Sequence, residues 1–214
     1  PLASQLYCIP VMQPDIGNGG QTEHMPDEIF FEDRIHLAVR RMFEGTNGIE
    51  PQAPGIRVIN LSLGDPERPF VSIASPWARL LDWLSFKYRV LFCVSAGNVH
   101  DPVNLSINYS EFSSLPDQEK TKISIAAISQ TLYTRRLLSP AESINALTIG
   151  ASHDDNSGDI PFNQRLDLLP LQGLFSPVMR LGHGFKKAVK PEILLPGGKQ
   201  LYQKPLMNSS KEFK

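Results

Sequence analysis

Cysteine is scarce in this chain: Cys8 and Cys93 are the only two among 214 residues. That count excludes a disulfide-stapled scaffold and fits a reducing compartment. Both fall in segments read as strands, where a buried free thiol behaves as a small hydrophobe. Long apolar runs are missing too, since none approaches the ~20 residues needed to span a bilayer. Charge of one sign is not in excess: 21 Lys and Arg against 22 Asp and Glu leave a net charge of -1. Nothing in that balance points to nucleic acid or an anionic membrane as partner. Neither common Gly-rich phosphate loop occurs, which argues against a nucleotide enzyme. The N-terminus has no basic stretch followed by an apolar one, so no secretory signal is read there. The chain opens on Pro1 rather than Met, and its natural N-terminus is expected to lie outside it.

What is present is ordinary in bulk and specific in detail. A hydrophobic content of 41% and a charged content of 20% suit a globular protein, and this length buries a real core, in one domain. Two short apolar runs, Gly55 to Gly64 and Val90 to Asn98, end abruptly in small and polar residues. Runs of this kind read as parallel strands buried on both faces, whose C-terminal ends bound the binding crevice of an open α/β sheet. The segment between them reads as a helix. Ser75 can cap it, Pro76 suits its first turn, Trp77, Leu80, Leu81 and Leu84 share one face, and Lys87 and Arg89 suit its last turn. Strand, helix, strand makes a crossover unit and hence a parallel sheet. A second helix is expected over residues 27–43, with acidic Asp27 and Glu28 at its start and Ile35, Ala38, Val39 and Met42 on one face. Leu6 to Met12 reads as a strand in which Pro10 is awkward, residues 14–26 as a loop, and the tail from Gln200 as frayed.

At the two strand ends a resemblance appears. Val58-Ile59-Asn60-Leu61-Ser62-Leu63-Gly64 and Val94-Ser95-Ala96-Gly97-Asn98 resemble two internal signatures of the subtilisin-like serine proteases, the subtilases. Ser139-Pro140-Ala141 and Leu147-Thr148-Ile149-Gly150-Ala151 are similar to the wall of the family's specificity pocket and the strand after it. Lys190-Pro191-Glu192-Ile193-Leu194-Leu195-Pro196-Gly197 resembles the run that precedes the catalytic serine. These segments follow the family's order and span most of the chain from Leu6 to Gly198. The resemblance implies an α/β fold, a subtilisin-like three-layer arrangement of a parallel sheet flanked by helices. Residues 99–139 are longer than the family's loop there and read as an insertion, holding an apolar run from Ile123 to Ile128 and a short helix through Leu132, Leu137 and Leu138.

Amide hydrolysis by acyl transfer needs a nucleophile, a base, a group orienting the base, and donors for the oxyanion. The resemblance makes Asn98 the oxyanion donor. It makes Ser62-Leu63-Gly64 and Ser95-Ala96-Gly97 the two walls that hold an extended polypeptide substrate as an added strand. Leu138 is placed at the base of the pocket between them, favouring an apolar substrate side chain. The family's aspartate, histidine and serine motifs have no convincing match. Asp15-Ile16-Gly17 lies too close before the Ile56 strand, and Gly182-His183-Gly184 falls in the wrong order. The expectation is therefore the middle of a peptidase domain, residues 1–214 beginning after the histidine segment and stopping before the serine segment. Such a piece would be inactive alone, incomplete, unstable or self-associating, and partnered by the rest of its domain. A catalytically dead peptide-binding relative and a small-molecule domain that mimics the motifs are the competing readings. No cofactor and no metal is expected: His153-Asp154-Asp155 matches no ligand spacing and reads as a solvated turn.

Overall fold

A computed structural model describes residues 6–18, 22–26, 28–155 and 163–214. Its centre is a four-stranded, wholly parallel sheet formed by β1 (Val58–Leu61), β2 (Leu91–Ser95), β3 (Leu147–Ser152) and β4 (Ile193–Pro196), which lie side by side in chain order. Helix α1 (Phe31–Phe43) precedes β1, and α2 (Pro76–Tyr88) joins β1 to β2. Helices α3 (Tyr109–Ser114) and α4 (Asp117–Gln130) lie between β2 and β3.

Helix α2 forms where its signals sit. The Ser75 hydroxyl accepts from the Ala78 N–H at 3.0 Å, Pro76 opens the first turn, and Arg89 ends the helix in a left-handed conformation. Helix α1 starts at Phe31, later than expected; Asp27 lies outside the described residues, and Glu32 and Asp33 supply the acidic first turn. Ile35 and Val39 of α1 join Trp77, Leu81 and Leu84 of α2 over Leu61, Phe92 and Val94 of the sheet. Both helices therefore cover one face.

The strands were expected to be buried on both faces, and that expectation is corrected. Burial alternates along β2 and β3: Phe92, Val94, Thr148 and Gly150 are buried, while Leu91, Cys93, Ile149 and Ala151 stay partly open. This second face is only partly covered by the described residues. All four residues of the edge strand β4 are exposed.

Three local expectations change with it. Residues 6–12 form no strand; Pro10 has no N–H to donate, and a cavity of about 610 Å³ separates this segment from β1. Cys8 is consequently exposed rather than buried. Ile123 to Ile128 is the interior of helix α4, whereas Leu132 and Leu137 lie beyond it and Leu138 pairs with Pro69 in a short antiparallel bridge. The tail is not frayed. Tyr202–Gln203 pairs with Arg165–Leu166, Glu212–Phe213 pairs with Val103–Asn104, and Tyr202 and Phe213 are buried with Phe112, Ile128, Leu168 and Leu169. Isolated aromatics in polar surroundings carry no periodicity, so nothing in the pattern announced this second core.

Glu44 fastens the C-terminal ends of α1 and α2. Hydrogen bonds from Lys87 first, then Tyr88 and Arg40, hold its carboxyl down at about 2. A depressed folded-state value means the clamp contributes fully above the ordinary value of 4.5 and is lost as pH falls from there towards 2. Glu44→Gln is expected to remove part of the acid-induced loss of stability in that window, by less than about 1 kcal/mol because the pair is solvent-screened. Thermal melts of both proteins between pH 5 and 2.5 measure it.

Candidate active site

The register Leu61↔Val94 brings the ends of β1 and β2 together, so Ser62-Leu63-Gly64 and Ser95-Ala96-Gly97 leave the sheet as neighbours. Past β1, Asp65–Pro69 pairs antiparallel with Leu138–Ser139, and the Leu138 N–H donates to the Ala96 carbonyl at 3.3 Å. The Leu138 side chain thereby reaches both glycines. A Cβ on Gly64 would lie 3.1 Å from Leu138 Cβ, and one on Gly97 only 2.9 Å from Leu138 Cγ. Gly97 also has φ +94°, so its lack of a side chain serves both backbone and packing. The Ser95 hydroxyl accepts from the Gly97 N–H at 3.1 Å and fixes this turn. Beside these residues, a cleft of about 240 Å³ opens between Asn60, Ser62, Ser95, Asn98, Ile149 and Met179.

Asn98 stands exposed at the rim of that cleft. Its backbone is laddered to residues 178–180: Asn98 bridges Met179, the Val99 N–H donates to the Val178 carbonyl at 2.7 Å, and the Arg180 N–H donates to the Gly97 carbonyl at 3.0 Å. The Arg180 side chain adds a further rung, its Nε donating to the Asn98 carbonyl at 2.9 Å. Among the described residues the Asn98 carboxamide has no hydrogen-bond partner, so its amide is available to a ligand in the cleft.

The segment behind the cleft is tied to α2 and β4. Ser139 Oγ meets Ser75 Oγ at 2.5 Å, the buried Glu142 accepts from the Ser75 N–H, and Asp82 accepts from Ser143 Oγ and the Asn145 N–H. The Thr148 hydroxyl donates to the Ala141 carbonyl. Lys190 is buried, donating to the Ala146 carbonyl at 2.9 Å and pairing with Glu192, which accepts in turn from the Thr148 N–H. The Ser139-Pro140-Ala141 and Lys190-Pro191-Glu192 segments are thus joined through one polar network.

The reading of His153 as part of a solvated turn is corrected. His153 is 1% exposed; its Nδ1 accepts from the Gln200 N–H, and its Nε2 donates to Asp167 at 2.8 Å. Burial pushes the Asp167 carboxyl up, but bonds from His153, Leu169 and Lys199 outweigh it and hold the group below its ordinary value. The pair ties the start of the tail to the sheet rather than to the cleft. Asp154, next in sequence, is exposed enough to cap Gly173. Among the described residues no group of three or more His, Cys, Asp or Glu side chains could hold a metal ion, and no helix is long and apolar enough to cross a membrane. His183 sits exposed in a two-residue bridge with Val189, and Asp15 accepts from the Gly17 N–H in its own loop.

Sequence reasoning did not find Arg180 or Met179. They lie in an irregular stretch where no spacing or motif singles them out.

The family comparison covers both of the strand ends that carry the small-residue walls. The family model described as the subtilase family matches residues 38–213. The chain belongs to the subtilase family, a family of serine peptidases, and its α/β sheet is of the subtilisin-like kind. It is similar to an uncharacterized protein, y4bN, of Sinorhizobium fredii, at 28% identity over 151 residues. That match covers 69% of this chain but 32% of the relative, so the chain spans about a third of the curated relative's length. No solved structure gives a significant match.

Proposed function

We propose that the chain is the central part of a serine endopeptidase domain that cleaves polypeptides through an acyl-enzyme. One observation supports this best: Asn98, with an unengaged carboxamide, borders one cleft with Ser62 and Ser95-Ala96-Gly97, while Leu138 packs between Gly64 and Gly97. In this reading a substrate strand lies between Ser62-Leu63-Gly64 and Ser95-Ala96-Gly97, backbone to backbone. A serine oxygen, supplied by the remainder of the domain, adds to the scissile carbonyl carbon and gives its proton to a base. Asn98 Nδ2 donates to the oxygen that becomes negative. The base then protonates the departing amine, and water releases the acyl group by the same steps in reverse.

The nucleophile, base and orienting acid are assigned to the rest of the domain, because none of their motifs occurs here. The isolated chain should therefore be inactive. The open second face of the sheet and the exposed β4 edge, with Leu194 and Leu195 in solvent, should also make it self-associate. Sedimentation velocity on residues 1–214 tests this: a concentration-independent monomer that melts cooperatively would contradict it.

The proposed function itself is tested by treating the full-length protein with a fluorophosphonate probe and mapping the modified residue. A labelled serine beyond Lys214 supports the peptidase. Absence of label on folded, propeptide-free protein supports a catalytically dead relative that only binds peptides. Leu138 gives a specificity prediction within the same reading. Leu138→Gly removes the side chain that fills the space between Gly64 and Gly97, and should raise kcat/KM for large apolar residues before the scissile bond roughly 10-fold or more relative to alanine. A panel of peptides varied at that residue measures it.

A further inference from the structure

We infer that Arg180 is a positioning residue for Asn98, a clamp that holds the oxyanion donor in place from outside the cleft; this rests on the reading of Asn98 given above.

Three features set Arg180 apart. Its side-chain hydrogen bonds go to backbone carbonyls: Nε to Asn98 at 2.9 Å, and Nη1 to Thr134 at 3.2 Å and Arg136 at 3.0 Å. Its own backbone N–H donates to the Gly97 carbonyl at 3.0 Å. One residue therefore grips two consecutive carbonyls of the turn bearing Asn98 and ties them to the segment leading into Leu138. Its aliphatic stem completes the grip, because Cδ lies where a Cβ on Gly97 would come within 3.0 Å. The absence of a side chain at Gly97 is what lets the arginine lie flat across the turn.

The electrostatics agree with a structural clamp rather than a substrate-binding cation. Arg180 forms no ion pair among the described residues, and burial lowers its guanidinium from the ordinary value. Its neighbour Arg135 is 2% exposed and donates Nη1 to the Pro177 carbonyl at 2.6 Å, which fixes the far side of the same ladder. A planar fork can satisfy carbonyls on separate segments at once, which a lysine ammonium on a flexible stem does poorly. Asn98 has to be presented in a set geometry before reaction, because a preorganised donor loses nothing to reorientation as charge develops. The two carbonyls fixed by Arg180 flank that residue's backbone.

The test is a double-mutant cycle in the full-length protein with a peptide substrate. Arg180→Met keeps the stem and removes the donors; Arg180→Lys keeps the charge and removes the fork. Each is expected to lower kcat about 10-fold while KM changes by less than about 2-fold. In an Asn98→Ala background Arg180→Met should cost no more than about 2-fold further, since the group it positions is gone. Thermal melts of the variants accompany the kinetics, and a merely structural role would give equal losses in both backgrounds. Equal losses, or a raised KM at unchanged kcat, would overturn the clamp while leaving Asn98 as donor. An Asn98→Ala protein with undiminished kcat would instead overturn the oxyanion reading itself.

Discussion

Asn98→Ala in the full-length protein is expected to lower kcat by about 10²–10³, with KM shifted by less than roughly 3-fold. That magnitude is the one established for subtilisin's own oxyanion asparagine and is carried over with the reading, not obtained from this structure. The split between kcat and KM follows from where the amide acts. Asn98 is exposed at the rim of the cleft, and its side-chain carboxamide makes no hydrogen bond within the described residues. In the proposed reading the amide has little to lose in the free protein and gains a partner only as the substrate oxygen becomes charged. Removing it should barely alter the fold, so Tm should stay within about 2 °C. Steady-state kinetics on one peptide substrate decide the matter. A kcat within a factor of three of the parent's would exclude Asn98 from the reaction.

The second large effect concerns stability. Phe213→Ala should destabilise the protein by about 3–5 kcal/mol, the range for emptying a fully buried aromatic site. Phe213 is completely buried, 5.6 Å from the ring of Phe112, and shares its core with Leu168, Leu169 and Ile128. For a unit of this size the loss corresponds to a fall in Tm of roughly 6–20 °C. Phe86→Ala is the control: its ring is exposed on α2, and the change should stay within about 0.5 kcal/mol. Differential scanning calorimetry on the full-length variants checks both. If Phe213→Ala melts like Phe86→Ala, the tail is not part of the core.

Legibility in the sequence follows physical range. Local rules served α2 well, because a serine cap, a first-turn proline and an apolar stripe act within four residues of one another. Strands β1 and β2 were legible as short apolar runs, the crossover rule made them parallel, and β3 stood out through the resemblance, whereas β4 was not read as a strand. The small residues at their ends stood out through the resemblance, and the structure brings Ser62 to Gly64, Ser95 to Asn98 and Leu138 around one place. What escaped depends on contacts far apart in the chain. His153 looks like a polar turn until Asp167 and Gln200 are brought to it. Tyr202 and Phe213 look like decoration on a polar tail until Val103, Phe112 and Leu168 surround them. Arg180 is one more cation until the carbonyls of Thr134, Arg136 and Asn98 converge on it. The open face of the sheet was misread for the opposite reason: an apolar strand announces that it wants two covers, not whether both lie in the same stretch of chain.

The pairing of Glu212–Phe213 with Val103–Asn104 also has a consequence in time. A ribosome delivers helices α3 and α4 long before the residue that fills the space beside Phe112. Until Phe213 emerges, the core those helices share with Leu168 and Leu169 is incomplete, and closing so long a loop carries an entropic cost. The β1–α2–β2 unit has no such wait, since its partners are all near neighbours. Vectorial synthesis should therefore leave the half carrying Gly64 and Gly97 ordered first and the half carrying α3 and α4 exposed to proteases until Phe213 emerges.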